Sequence, residues 1–586
     1  MVYLGRPSKG CQMCRTRRIK CDETKPTCNQ CAKARRQCPG YRDEFDLLLR
    51  NENQAAARRA LKANTAAASS SSSSSSKKAT ASNKNAQPHP RQQALQLSRS
   101  QTAALTNSLS IPVEDLATCH FLSNFVLVPP QEQHSARGYN HFLLPLLQQY
   151  SNGTNRKEIT HLQHAFNACA LASLGERYGV PSPGRGHGRL TTGKEKETLL
   201  RKGAEEYTLA LMATNAALRD PVRCKEDGTL AAVLLLGMFE NITARQDTGS
   251  AWGSHVEGAV QLVKARGKKQ LKSKLGVQLF VVVRSQLIIH NFITATPLPM
   301  GVSWWLNEDA NSDPTANACE RLNLLTAELR SEAYGFFSSP LSFSSSPASI
   351  AAVEEFLARA RALDAEAVEW FATLPRSWQI ESIPYSSSGN ENIFPGVVHV
   401  YPDMWTAAIF NLARATRMVL MSIIVRCAAF LVRPGDYRTT AEYAFAARTA
   451  SSVVSEVIAS VPYHLGHLPP RKDKRGNPIE NSLNGRGLGG YFLTWPLACV
   501  VTHDHVTDAQ REYVRGRLRY IGDEHGIKYA RVLFGVNLRL PSMLIFKDGK
   551  LAAAAAASKI PGAHSVGGSA GAVMRAAGLT SRLRSV

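Results

Sequence analysis

The sequence predicts a mainly α protein built from a small cysteine-rich metal module, a low-complexity linker, a large all-α body and a C-terminal tail. Three observations predict it. Six of the twelve cysteines fall between Cys11 and Cys38. Eight serines run from Ser69 to Ser76, in a stretch (61–110) with no acidic residue. From about 111 to 546, apolar residues recur at three- and four-residue spacing in segments dominated by Leu, Ala, Met, Arg and Glu, and strand-like alternation is scarce.

At 586 residues the chain exceeds one ordinary domain, and 44% hydrophobic residues suffice for a large core. The net charge of +24 favours a polyanionic partner. It sits at the ends: +8 over 1–60, +6 over 61–110, +5 over 547–586, and only +5 over the 436 residues between. The opening MVYLGRPSKG has no apolar core of a secretory signal. No window of about 18 uncharged apolar residues exists; the nearest, 410–432, is interrupted by Arg414, Arg417 and Arg426. The expectation is a soluble intracellular protein with reduced thiols and no membrane partner.

The first element is the cysteine module, 9–42. Its spacing is C-x2-C-x6-C, six residues, then C-x2-C-x6-C, a tandem of two halves. Each half supplies three thiolates, whereas a closed zinc site takes four. Two tetrahedral ions need eight ligand positions, which six cysteines fill only if two of them bridge. A disulfide knot would need an oxidising compartment, and a four-cysteine ribbon would strand two cysteines. Between the thiols lie Arg15, Arg17, Arg18 and Lys20 in the first half and Lys33, Arg35 and Arg36 in the second. Such residues suit base edges and phosphates, or else form a solvated face.

This stretch resembles the Zn2Cys6 binuclear-cluster DNA-binding domain of fungal transcription regulators. Arg15 after the second cysteine, Lys20-Cys21-Asp22 at the third and Pro26 between the halves add to the cysteine spacing. The resemblance implies that Cys11, Cys14, Cys21, Cys28, Cys31 and Cys38 hold two Zn²⁺ ions, with Cys11 and Cys28 bridging. One ion then takes Cys11, Cys14, Cys21 and Cys28, and the other Cys11, Cys28, Cys31 and Cys38. It implies a cis bond at Pro26 and readout of CGG-like triplets, with Arg18 at the position of the family's base-reading lysine. Arg17 and Lys20 become its neighbours or phosphate clamps, and Lys33, Arg35 and Arg36 phosphate contacts.

Residues 43–110 follow as a short helix (43–62) and a flexible Ser-rich linker (63–110). One apolar turn at Phe45, Leu48 and Leu49 is too little for a coiled coil. In the helical body, 111–546, helices are expected over 198–218, 229–240, 275–293, 350–374 and 405–432, with loops at 181–188, 294–302, 338–347 and 383–395. AWGSHVEGAVQLVKARG (251–267) places Trp252, His255, Ala259, Leu262, Val263 and Arg266 on one helical face, with Gly258 for close approach and Gly267 as a stop. It resembles the fungal-specific transcription factor domain, as do 491–500 and 513–534 more loosely. His255 is expected in the core or an interface. GRGLGG (485–490) lacks a βαβ setting and is no dinucleotide loop; in HDHVTD (503–508), Asp504 is expected to cap a helix. Cys119, Cys169, Cys224, Cys319, Cys427 and Cys499 read as buried apolar residues. Residues 547–586 read as a basic Ala/Gly-rich tail.

The reading is a nuclear, sequence-specific regulator of RNA polymerase II transcription that binds double-stranded DNA. It has no catalytic residues and no cofactor besides zinc. Control of a metabolic pathway or biosynthetic gene cluster, a homodimer through the helical body and transcriptional co-regulators are expectations from the resemblance. The alternative is a metabolite-sensing helical domain or a protein-interaction scaffold that uses the zinc module as an address.

Overall fold

The computed structural model describes residues 11–38 in part (11, 13–14, 17, 19–22, 24, 27–36 and 38), then 111–129, 137–151, 160–177, 193–244, 251–306, 313–386, 390–469 and 487–558. The chain divides into two compact units between Ser108 and Leu109. The expected helix at 43–62, the linker at 63–110 and the tail beyond 558 lie outside the described residues.

The first unit contains the cysteine module; among its described residues α1 spans Asn29–Lys33, and Met13 and Cys14 are also helical. The second unit is helical: α2 (Val113–Phe125), α3 (Leu143–Ser151), α4 (Thr160–Arg177), α5 (Gly193–Leu218), α6 (Asp227–Thr243), α7 (Trp252–Arg266), α8 (Lys274–Thr294), α9 (Pro314–Phe337), α10 (Pro347–Ala372), α11 (Met404–Leu431), α12 (Ala441–Leu465), α13 (Gly487–Thr502), α14 (Asp508–Glu524), α15 (Lys528–Phe534) and α16 (Ser542–Ser558). Local chemistry sets many of the ends. Asp313, Ser346, Asp403 and Thr440 accept hydrogen bonds from the first-turn amides of α9, α10, α11 and α12, and Pro314 and Pro347 occupy first-turn positions where no amide is missed. Thr507 and Gln510 form a reciprocal capping box on α14. Gly267 ends α7 at φ 63°, a conformation that costs glycine little.

Two packing centres organise the body. Helix α4 lies against α5 and α6, and α11 contacts α9, α10, α12 and α13. Helix α11 is buried nearly all round, which explains why its sequence is so continuously apolar. It and α8 are long and apolar enough to cross a membrane, but about three quarters of each is covered by the body: 78% and 72% of their most apolar windows. A second, aromatic cluster joins Trp370, Trp378, Tyr401, Trp405, Phe410 and Tyr463 beside the main core.

Several expectations need correction. The stretch expected as a loop at 383–395 contributes to an antiparallel hairpin, β1 (Glu381–Tyr385) with β2 (Gly396–Val400), in register Ile383 to Val398. Burial of Val398, His399 and Val400 against the helices supplies what local propensity lacks. Helix α16 runs across the expected tail boundary at 546–547, and Asp548 inside it is buried. In α7 the close helix approach comes from the facing helix: a Cβ on Gly237 would sit 3.3 Å from the His255 Cβ, whereas one on Gly258 would meet only Val233, at 4.0 Å. His255 is half-buried with Nε2 3.3 Å from the Tyr207 hydroxyl. Of the six remaining cysteines, Cys119 is exposed and Cys224 and Cys499 are half-buried, while Cys169, Cys319 and Cys427 are buried. Asp504 does cap a helix, but a distant one: its carboxylate accepts from the Ser542 amide (2.7 Å) and hydroxyl (2.9 Å) at the start of α16.

Candidate metal centre and nucleic-acid interface

The tandem of the sequence is a tandem in the backbone. The Cys14 amide donates to Cys11 Sγ at 3.4 Å, and seventeen residues on the Cys31 amide donates to Cys28 Sγ at 3.3 Å. Each half then closes with the same long bond, Ile19 N–H to the Cys14 carbonyl and Arg36 N–H to the Cys31 carbonyl, both 3.0 Å. This is the six-to-one closure of a helix terminus. In the second half Arg35 takes the left-handed position it requires, at φ 47°.

The tandem brings six thiols together. Cys11, Cys14, Cys28 and Cys31 are fully buried, and Cys21 and Cys38 half-buried. They form two sets of four, Cys11–Cys14–Cys21–Cys28 and Cys11–Cys28–Cys31–Cys38, and the sulfurs of each set all lie within 4.8 Å of one another. None of the twelve cysteines forms a disulfide. Cys11 and Cys28 Sγ are 3.7 Å apart, Cys11 and Cys31 3.8 Å, and Cys14 and Cys28 3.6 Å. A tetrahedron with Zn–S of about 2.3 Å has edges of about 3.8 Å, so these separations are those of thiolates around zinc. The two sets share the Cys11–Cys28 edge, as two tetrahedra joined by bridging sulfurs do.

The electrostatics fit a cation as well. Burial first, and then hydrogen bonds among the thiols, push the Cys31 thiol up to about 12; burial also raises Cys14 and Cys28. Six thiols so crowded cannot ionise together unless positive charge sits among them. Two Zn²⁺ against six thiolates leave a net charge of −2, and the amide donors to Cys11 and Cys28 disperse part of it.

Around this centre Arg17, Lys20, Lys33, Arg35 and Arg36 are all exposed. Arg15 and Arg18, like Pro26, lie outside the described residues. One residue was missed from sequence. Asp22 accepts from the Thr24 hydroxyl, which chiefly lowers its carboxyl below the usual range, and from the Asn29 amide at 3.1 Å. It ties the end of the first half to the first turn of α1. The only sequence signal for it is its place directly after the third cysteine.

Two histidines of α4 and the glycines that open α13 have structural settings in the helical body. His161 is buried and bonded to Thr229 (3.1 Å), whereas His164 pairs with Glu206 (2.7 Å) on another face. The glycines at 487–490 open α13, where they admit neighbouring side chains and backbone closely.

Comparison with known proteins agrees with both units. Residues 9–47 match the fungal Zn(2)-Cys(6) binuclear cluster domain, and 116–311 match the fungal specific transcription factor domain. The cluster domain binds two zinc ions, and the two thiol sets are able to hold them. A transcription factor of Emericella nidulans, dbaG, is 22% identical over 72% of this chain and 91% of its own length. The white-opaque regulator 2 of Candida albicans is 41% identical over 18% of this chain and 24% of its own. The lysine biosynthesis regulatory protein LYS14 of Saccharomyces cerevisiae is 69% identical over 5% of this chain and 4% of its own length. No solved structure matches at the same significance.

Proposed function

We propose that this chain, a fungal Zn2Cys6 transcription factor by its two matched domains, is a nuclear regulator that reads CGG-like triplets in double-stranded DNA through the module at 9–42. The observation that carries the reading is the shared Cys11–Cys28 edge beneath a shell of exposed cations. The six cysteines at 11, 14, 21, 28, 31 and 38 are the ligands in this reading, with Cys11 and Cys28 bridging. Zinc bound there supplies a rigid, nearly charge-balanced core in place of the apolar core that so short a segment lacks.

The division of labour follows from side-chain chemistry. Arg18 presents a planar fork that suits guanine O6 and N7, with Arg15, Arg17 and Lys20 beside it. Lys33, Arg35 and Arg36 on the second half neutralise phosphates and set register without reading sequence. The helical body, proposed to span 111–546, regulates. It offers self-association and surfaces for transcriptional co-regulators, and no arrangement of nucleophile and base is found among its described residues. The names of relatives such as LYS14 support a role in control of a metabolic or biosynthetic pathway.

Binding titrations of full-length protein on duplexes with and without CGG triplets, at two salt concentrations, test this. Arg18→Ala is expected to cost about 1–3 kcal/mol on the preferred duplex and to flatten sequence preference. Lys33→Ala weakens all duplexes alike and lowers the salt slope by about one. Equal loss of preference in both variants would show that Arg18 is misassigned as the base-reading residue.

A further inference from the structure

Helix α16 is held in an unusual way. Of residues 542–550 only Asp548 is fully buried, while Met543 and Phe546 of the same helix are 45% and 65% exposed. A helix that docks by hydrophobic burial shows the reverse pattern. The anchor is a two-pronged ion pair: Arg426 of α11 donates from Nε to Asp548 Oδ2 at 2.6 Å and from Nη2 to Oδ1 at 2.8 Å. The Arg426 guanidinium also lies 4.3 Å from the centre of the Phe337 ring.

The site holds more positive charge than Asp548 can balance. Arg330 of α9 lines the same small pocket as Arg426, together with Tyr334, Phe337, Ser422 and Leu544. Its Nε donates to the Phe292 carbonyl at 2.8 Å, and no carboxylate pairs with it among the described residues. Desolvation lowers the Arg330 guanidinium to about 10, and the neighbouring charge of Arg426 adds to this. Arg433 donates to the Ser342 carbonyl at 3.1 Å and lies within the field of the same Asp548. Arg426 and Arg433 therefore share one carboxylate while Arg330 beside them faces none among the described residues, and that carboxylate arrives on a segment, 542–550, otherwise weakly buried.

We infer that the Arg330–Arg426 pocket is a binding site for a small carboxylic acid, and that Asp548 on α16 is its tethered internal occupant. A free carboxylate competes with Asp548 for Arg426 and gains Arg330 as a second partner. Fork-to-carboxylate pairing supplies the specificity, and Phe337 and Tyr334, which remain on α9 when α16 leaves, favour an acid with an apolar body. Occupancy by the free acid releases α16. This reading is independent of what the cysteine module recognises.

Sodium benzoate, compared with sodium chloride at equal ionic strength, is the probe on the full chain. Hydrogen exchange of the 542–550 amides is expected to rise roughly tenfold in benzoate and to stay unchanged in chloride. Asp548→Asn exchanges fast in this segment without any ligand, and benzoate raises its melting temperature above that in chloride. The double variant Arg426→Met/Asp548→Leu replaces the pair by apolar groups of similar reach, keeps α16 protected and loses the benzoate response. Equal behaviour in benzoate and chloride, or a benzoate response that survives the double variant, overturns the inference. If Asp548→Asn does not fold, the wild-type exchange and the double variant still decide it.

Discussion

Cys28→Ala and Cys14→Ala delete the same atom from the same module, yet the geometry assigns them different consequences. Cys28 belongs to both sets of four sulfurs, and Cys14 to one. Structural zinc contributes roughly 10–16 kcal/mol per ion in small domains, so an equal share per ligand is about 2.5–4 kcal/mol. Cys14→Ala removes one such share and is expected to weaken one ion by roughly 10²–10³. Cys28→Ala removes a share from each ion, about 5–8 kcal/mol together, and leaves both with three ligands. Few apolar side chains remain to hold the module once the metal leaves. Native mass spectrometry of the full chain against a rising concentration of a zinc chelator reads the outcome. Wild type holds two ions. Cys14→Ala passes through a one-zinc species at low chelator, whereas Cys28→Ala goes from two ions to none without a populated one-zinc form. A tightly held single ion in Cys28→Ala would refute the bridging assignment.

The helical body carries further tests. Burial holds His161 and His464 down at about 4 and His503 and His525 at about 3, with Arg223, Arg414, His505 and Arg177, respectively, facing them. The unfolded chain takes up these protons near pH 6.5, so stability is complete above that value and falls as pH drops from about 6.5 towards 4. Urea midpoints should be lower at about pH 5 than at about pH 7.5; equal midpoints contradict the burial of these rings. A Cβ on Gly489 would collide with the His464 carbonyl oxygen, a backbone atom that cannot yield. Gly489→Ala is expected to destabilise by at least about 2 kcal/mol. Gly258→Ala, exposed and mid-helix, should stabilise by about 0.5–1 kcal/mol. Thermal melts that rank the two alanine variants in the opposite order sink the packing argument.

How much of this was legible in the sequence depended on the range of the interaction responsible. Cysteine spacing fixed the module because the metal's ligand count is a local constraint; the bridge itself followed from counting. Long helices such as α5, α8 and α11 were readable from the recurrence of apolar residues, on one face in α5 and nearly all round in α11. The β1–β2 hairpin was not. Its first strand includes Pro384 and serines 386–388 come directly after it, and it forms because Val398 and Val400 find a helical surface distant in sequence. The same holds at α16: an Ala- and Lys-rich stretch looks like a tail until Arg426, 122 positions earlier, is seen holding Asp548. Gly237 was overlooked in favour of Gly258 because one helix alone does not reveal which side meets its neighbour. Asp22 was noticed as a letter in a pattern, but its job of joining two halves needed the third dimension.

Helix α11 also imposes an order of events on the chain as it is made. Its neighbours α9 and α10 are synthesised before it, and α12 and α13 after it. Until α12 and α13 have left the ribosome, α11 has an open flank, and the buried charge of Arg414 lacks Glu456, just as Asn411 lacks Ser460, because both partners come into place only with α12. The cysteine module needs nothing beyond Cys38 to close. A ribosome that stops early within the body therefore releases a finished N-terminal module joined to a sticky, half-built one. Such a product is a natural client of chaperones and proteases, and the length at which degradation ceases should mark the arrival of α13.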